Sequence, residues 1–277
     1  MADAPLIQLQ DGNAIPQLGL GVWQISNDDV VGAVNQAIMA GYRMIDTAQG
    51  YGNEEGVGRG VVESGLNRDA IFITSKVANR NQGYDKTLAS FMETLGRLGV
   101  DWLDLFLIHW PVPAQDKYAE TWKALVQLQK DGRIKSIGVS NFLPDHLERI
   151  IGETGVVPVV NQIELHPQFQ QRDVREFHRQ HGIAIESYSP LGRGLLLDDP
   201  TIAGIARKHG KSPAQAILRW HVQEELIVIP KSSSPERIGD NIAVFDFELD
   251  EDDMAAIAGL DKPDGKHGSN PAVMNNL

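Results

Sequence analysis

Residues 103–141 read LDLFLIHWPVPAQDKYAETWKALVQLQKDGRIKSIGVSN, and this stretch decides the fold class. The run LDLFLIHW (103–110) is almost continuously apolar. It is followed by an amphipathic stretch, YAETWKALVQLQKDG (118–132), which a glycine stops, and then by a second apolar run, IKSIGVSN (134–141). Strands buried on both faces and joined by a helix read this way, which points to parallel pairing through a crossover. The same unit recurs in both directions along the chain. Further strand candidates are QLGLGVW (17–23), RMIDTA (43–48), AIFITSK (70–76), VVNQIEL (159–165), AIESYSP (184–190) and LIVIPKS (226–232). Helix-like stretches lie among them, including VVGAVNQAIMAG, NEEGVGRGVVES, PDHLERIIGE and RDVREFHRQHG. Eight strand candidates in 277 residues predict an α/β fold, a (β/α)8 TIM barrel in a single domain over 1–277. LIQL and IPQL flank DGN near the start and predict an N-terminal β-hairpin that can plug the barrel floor. The tail after Leu260 has no periodicity and is expected to lie as a C-terminal loop over the barrel mouth.

Composition narrows the function. With 42% hydrophobic and 22% charged residues, the chain has the makings of an ordinary globular core. A net charge of −12 argues against nucleic acid as a partner, because phosphate binding needs a clustered basic surface. No run of 18 apolar residues is present, so no membrane span is expected. The first ten residues, MADAPLIQLQ, lack the basic and apolar regions of a secretory signal. Cysteine is absent, which removes thiolate metal sites and a cysteine nucleophile and fits a cytoplasmic location. No metal site is expected: His178 and His181 lie three apart on a helix-like stretch without a third ligand, and are read as solvated.

Four polar residues stand at or just beyond strand ends. Asp46 closes RMID, Tyr51 follows in the loop QGYGNEE, Lys76 closes AIFITSK, and His109 closes LDLFLIH. Barrel enzymes work at the carboxyl ends of their strands, where all four fall. A tyrosine is a weak acid, with a reference pKa of about 10, and a neighbouring ammonium favours its phenolate. An aspartate would hold that lysine charged, and a histidine could orient a carbonyl oxygen. Together they can protonate a carbonyl. Taken singly, a tyrosine such as Tyr51 in a glycine-rich loop is more often a packing residue, Lys76 and Asp46 read equally as a structural ion pair, and His109 as a strand cap. The set contains no reductant, so reduction would need a bound hydride donor.

The strings IDTAQGYGNEEGVG (45–58), SK (75–76), LIHWP (107–111), IGVSN (137–141), NQIELHP (161–167), SPLG (189–192) and IPKS (229–232) resemble the aldo-keto reductase superfamily. HPQFQQR (166–172) brings the chain nearest to prokaryotic members similar to 2,5-diketo-D-gluconate reductase. The resemblance spans essentially the whole chain and implies a (β/α)8 barrel that uses NADPH to reduce carbonyls. It implies a catalytic tetrad of Asp46, Tyr51, Lys76 and His109. It places Ser140, Asn141 and Gln162 at the nicotinamide carboxamide, Tyr188 against the ring, and Leu191 and Gly192 beside the pyrophosphate. Lys231, Ser232, Ser233 and Arg237 would clamp the 2′-phosphate, with Asn241 at the adenine. The last cluster also has its own physical reading. Two cations flank serines before a helix-like segment in an acidic chain, which suits a phosphate, although a surface serine turn would look the same. GNEEGVGRG (52–60) does not match the dinucleotide fingerprint, and its glycines are read as helix packing.

Trp23 and Trp110 are expected to wall the substrate pocket with His109. Relatives often carry tryptophan two residues after the lysine. Ala78 stands there and predicts a thinner wall and a wider cavity. Position 240 is Asp where Glu is commoner, so adenine-side contacts are expected to be weaker. The expected activity is NADPH-dependent reduction of small aldehydes, α-dicarbonyls or keto-sugars by a cytoplasmic monomer. The rival classes are a catalytically slow NADP(H)-sensing module and a barrel lyase that uses Lys76 as a Schiff-base amine.

Overall fold

The structure, a computed structural model, describes residues 4–276; Met1, Ala2, Asp3 and Leu277, at the ends of the two terminal segments read above, lie outside them. A two-stranded antiparallel hairpin comes first, β1 (Leu6–Gln8) and β2 (Ala14–Pro16). Eight parallel strands follow: β3 (Leu20–Gly21), β4 (Met44–Asp46), β5 (Phe72–Val77), β6 (Leu103–Ile108), β7 (Ile134–Ser140), β8 (Val160–Glu164), β9 (Ala184–Tyr188) and β10 (Ile227–Val228). They pair in chain order from β3 to β10. The seam between first and last strand is closed by Gly19 N–H donating to Val228 O (3.0 Å), Val228 N–H to Gln17 O (2.9 Å) and Gly21 N–H to Pro230 O (3.2 Å). A Cβ on Gly21 would stand 2.9 Å from Ile229 O, so the seam closes because this residue has no side chain. The predicted barrel is therefore present. Its first and last strands are shorter than QLGLGVW and LIVIPKS suggest, because the ladder at the seam reduces to isolated bridges at Leu18–Val228 and Gly21–Lys231.

Helices α1 (Asp29–Ala40), α2 (Glu54–Glu63), α3 (Tyr84–Leu98), α4 (Tyr118–Lys130), α5 (Pro144–Thr154), α6 (Arg172–His181), α7 (Pro200–His209), α8 (Pro213–Gln223), α9 (Pro235–Ile242) and α10 (Glu251–Ala258) surround the sheet. The glycines of α2 do serve packing: a Cβ would lie 2.0 Å from Asn27 O at Gly56 and 2.2 Å from Leu98 O at Gly58. Asp250 caps α10: its carboxylate accepts from Asp253 N–H (3.0 Å), and the acidic first turn complements the helix dipole. Trp122 on α4 and Trp220 on α8 are buried.

Strand alternation sorts the barrel into an outer apolar shell and an inner column. On β6, Phe106 and Ile108 join the outer core under the helices, while Leu105 and Leu107 join an inner cluster with Met44, Val160 and Ile227. Leu9 and Ile15, at the hairpin, belong to that inner cluster, so the hairpin plugs the floor. Higher up, the same inward register carries Asp46, Lys76, Gln162 and Glu186, all buried. The column is thus oily below and polar above.

Candidate active site

Asp46 and Lys76 end neighbouring strands, and their side chains meet inside the barrel. The Lys76 ammonium donates to Asp46 Oδ1 (2.6 Å) and Thr47 O (3.0 Å), and reaches the Tyr51 hydroxyl at 3.4 Å. Tyr51 lies in a short 3-10 turn, Gln49–Tyr51, directly after β4. Its ring meets His109 edge-on, with centroids 5.6 Å apart. The predicted four therefore converge. Burial opposes the Lys76 charge, but Asp46, with Tyr51 and Glu186, more than reverses this and holds the ammonium above its ordinary pKa. Tyr51 departs from the sequence expectation. Lys76 does pull its hydroxyl down, yet desolvation outweighs that pull and keeps the phenol above its ordinary value. Burial, with the nearby Lys76 charge, depresses His109 to about 3, so its imidazole is neutral.

Asp46, Tyr51 and His109 face a cavity of about 360 Å³ walled by Trp23, Trp110, Tyr188 and Ile229, with Lys76 buried behind them. Ser140, Asn141 and Gln162 line it together, as predicted. Their hydrogen bonds are specific. Asn141 donates to His109 O (3.1 Å) and Ser140 Oγ (3.0 Å), and its Oδ1 accepts from the Tyr188 hydroxyl (2.8 Å). This fixes the Tyr188 ring. Gln162 Nε2 donates to Asp46 Oδ2 (2.9 Å) and Glu186 Oε2 (2.8 Å). Both amide hydrogens are spent downwards, which leaves Oε1 to accept from a ligand.

A second cavity, about 670 Å³, continues from the first and shares Trp23, Ser189, Arg193 and Lys231 with it. It runs past Leu191 to Ser232, Arg237 and Asn241, near the start of α9. Gly192 is buried behind this groove rather than lining it, and Ser233 faces a separate hollow with Gln24 and Ser26. Asp240 also lines the groove.

The tail crosses the mouth. Glu164, at the end of β8, accepts from His267 N–H (2.7 Å) and Gly268 N–H (2.8 Å). Burial works against the Glu164 charge, but His166, these two amides and Lys266 hold the carboxyl down at about 2. Gly268 and Ser269 thereby become part of the cavity wall.

The profile of the aldo/keto reductase family matches residues 16–262. The chain belongs to the aldo/keto reductase family. It is accordingly an NADP(H)-dependent oxidoreductase. An aldo-keto reductase of Mycobacterium sp. (strain KMS) is 56% identical over 273 residues, covering 98% of each chain. Methylglyoxal reductase DkgA of Escherichia coli (strain K12) is 50% identical over 264 residues, 95% of each. Glyoxal reductase of Bacillus subtilis (strain 168) is 49% identical over 266 residues, 96% of this chain and 95% of its own. A solved Gox0644 variant in complex with NADPH superposes with a TM-score of 0.96 at 53% identity, over 99% of each chain.

Some features of this aldo/keto reductase differ from the sequence reading. Ala78 is buried and does not line the cavity; Asn79, beside it, donates to Asn276 O in the tail (2.7 Å). His178 is buried, not solvated, because its Nε2 meets Asn161 Nδ2 at 2.8 Å behind β8. Arg193, Gly268, Ser269, Glu164 and Glu186 were not singled out. The first sits between two glycines in GRG, the next two in the patternless tail, and the glutamates inside apolar strand runs. Among the described residues no helix is long and apolar enough to cross a membrane.

Proposed function

We propose that this reductase converts small α-dicarbonyls and keto-sugars to hydroxy products, with Tyr51 as the proton donor. The observation that carries the reading is the Tyr51 hydroxyl, held 3.4 Å from a fully buried ammonium in a cavity it shares with a neutral His109. NADPH, when bound, supplies the hydride to the carbonyl carbon. The residues present suit it: Gln162 Oε1 offers an acceptor for the carboxamide, with Ser140 and Asn141 beside it, and Tyr188 offers a fixed ring face. Leu191, which lines the groove, would border the pyrophosphate, with Gly192 behind it. Lys231, Ser232 and Arg237 supply cations and a hydroxyl for the 2′-phosphate, with Asn241 at the adenine and Ser233 on the outer side. His109 donates an N–H to the substrate oxygen. Tyr51 passes its proton to that oxygen as the alcohol forms, and Lys76 stabilises the phenolate left behind. Asp46 keeps Lys76 charged. Trp23 and Trp110 cover the apolar side of the substrate.

Two of the relatives are named for methylglyoxal and glyoxal, and both compounds are small enough for a cavity of about 360 Å³. The whole of 1–277 is proposed to act as one barrel domain, a monomer in the cytoplasm, where a chain without cysteine meets no redox constraint. The test is initial-rate NADPH oxidation with methylglyoxal, glyoxal, 2,5-diketo-D-gluconate and a bulky aryl ketone, with NADH in parallel. The small dicarbonyls should turn over fastest, and with NADPH. Tight NADPH binding without turnover on any of the four would favour the sensing module instead.

A further inference from the structure

Glu186 is fully buried on β9, beside Gln162 on β8 in the parallel register, and does not border the cavity. Its Oε2 accepts from Gln162 Nε2 at 2.8 Å, while Oε1 has no partner among the described residues. A buried carboxyl with an unsatisfied oxygen is costly, so its place in the barrel centre calls for a compensating role. An apolar residue would continue the inner column at lower cost. The amide above it shows what the carboxyl does. Gln162 Nε2 is bonded to Asp46 on one side and Glu186 on the other. Held by Asp46 alone, the amide keeps its nitrogen downwards, because turning over would set its oxygen against a carboxylate, but its second hydrogen is left without an acceptor. With two, only one orientation satisfies both hydrogens, and that orientation aims Oε1 at the cavity.

We propose that Glu186 is a positioning residue of the reductase, which locks the Gln162 amide so that its oxygen receives the nicotinamide carboxamide. The inference rests on the reading of Gln162 as a carboxamide ligand. The ionisable groups that act on Glu186 are Asp46 on β4, Lys76 on β5 and Tyr51 beyond β4. One ammonium stands among two carboxyls, so it compensates one of them. Burial, together with the Asp46 charge, pushes the Glu186 carboxyl up to about 8. It is therefore a neutral acid at pH 7 and gains a negative charge as pH rises through that value. That charge arises below the nicotinamide position, where it favours the cationic NADP+ over NADPH.

The experiment measures dissociation constants for NADPH and NADP+ by quenching of tryptophan fluorescence, from pH 6.5 to 9. The proteins are wild type, Glu186→Gln, Glu186→Leu, Gln162→Leu and the double variant Gln162→Leu/Glu186→Leu. Glu186→Leu should weaken NADPH binding about 5- to 10-fold, the loss of one buried hydrogen bond. Glu186→Gln can still accept from Gln162 and should restore affinity to within about 2-fold. In the Gln162→Leu background, Glu186→Leu should have no further effect. The preference for NADP+ over NADPH should rise across pH 8 in wild type and stay flat in Glu186→Gln. If Gln162→Leu binds NADPH like wild type, the carboxamide role of Gln162 falls and the proposal falls with it. If Gln162→Leu weakens binding but Glu186→Leu does not, or the two losses add, the proposal alone is overturned. Should Glu186→Leu fail to fold, a Glu186→Gln protein that keeps the wild-type pH dependence overturns it.

Discussion

Lys76 is buried with its ammonium 2.6 Å from the Asp46 carboxylate, an arrangement in which each ion makes the other tolerable. Replacing Lys76 by methionine keeps the volume but strands the carboxylate. Such uncompensated charges typically cost roughly 3–5 kcal/mol. Lys76→Met should therefore lower the urea unfolding free energy by about that amount, and the double variant Asp46→Asn/Lys76→Met should recover part of it. Circular dichroism during urea titration measures both, and a single variant as stable as wild type would show that Asp46 is satisfied without Lys76. The four convergent residues were readable because each stands where a strand gives way to a loop, a position at which an ionisable group has no packing reason. Glu186 is hidden for the opposite reason: it lies within β9, and nothing in a linear pattern shows that inward residues of different strands share one column. Glu164 ends β8, but its partners lie in the patternless tail, which gives no sign of the contact. The electrostatic balance was equally hidden. Whether Lys76 or burial controls the Tyr51 hydroxyl depends on solvent exclusion, which only the packed barrel reveals.

At the scale of elements, the barrel, the plugging hairpin and the tail loop follow from periodicity and turn residues. The tail's attachment does not. Its anchor is one carboxylate at the end of β8 receiving two backbone N–H groups more than 100 positions later. Hydrogen bonds to a charged acceptor are worth about 1.5–3 kcal/mol each. Glu164→Ala should thus free the segment around His267, speeding its proteolytic cleavage about tenfold or more and raising KM for small carbonyls. Mass spectrometry of a timed digest reads the first effect, and unchanged cleavage would assign the tail's closure to other contacts, such as Asn79 with Asn276. Gly268 is constrained by the same clamp, since a Cβ there would lie 2.7 Å from Glu164 Oε2.

Across the whole molecule, an apolar inner floor closed by the hairpin lets the polar upper layer be dry, and that dryness sets its chemistry. The same exclusion of water makes buried histidines acid-sensitive. His178 is held neutral because burial lowers its pKa, while the unfolded chain takes up a proton below about pH 6.5. The unfolded state then binds more protons, so stability is complete above that pH and declines as pH falls, by about 1.4 kcal/mol per unit for this one group. Unfolding free energies at pH 7 and 5.5 should show a shallower slope for His178→Gln than for wild type; equal slopes would mean His178 stays uncharged in both states. The central claim, proton delivery by Tyr51 in NADPH-dependent reduction, is tested most directly by single-turnover stopped flow at 340 nm. Wild type and Tyr51→Phe, each saturated with NADPH, are mixed with methylglyoxal. Tyr51→Phe should bind NADPH with wild-type affinity and oxidise it about 10²-fold or more slowly, the loss expected for a general acid. Oxidation at the wild-type rate would contradict the claim and place the proton donor elsewhere in the cavity.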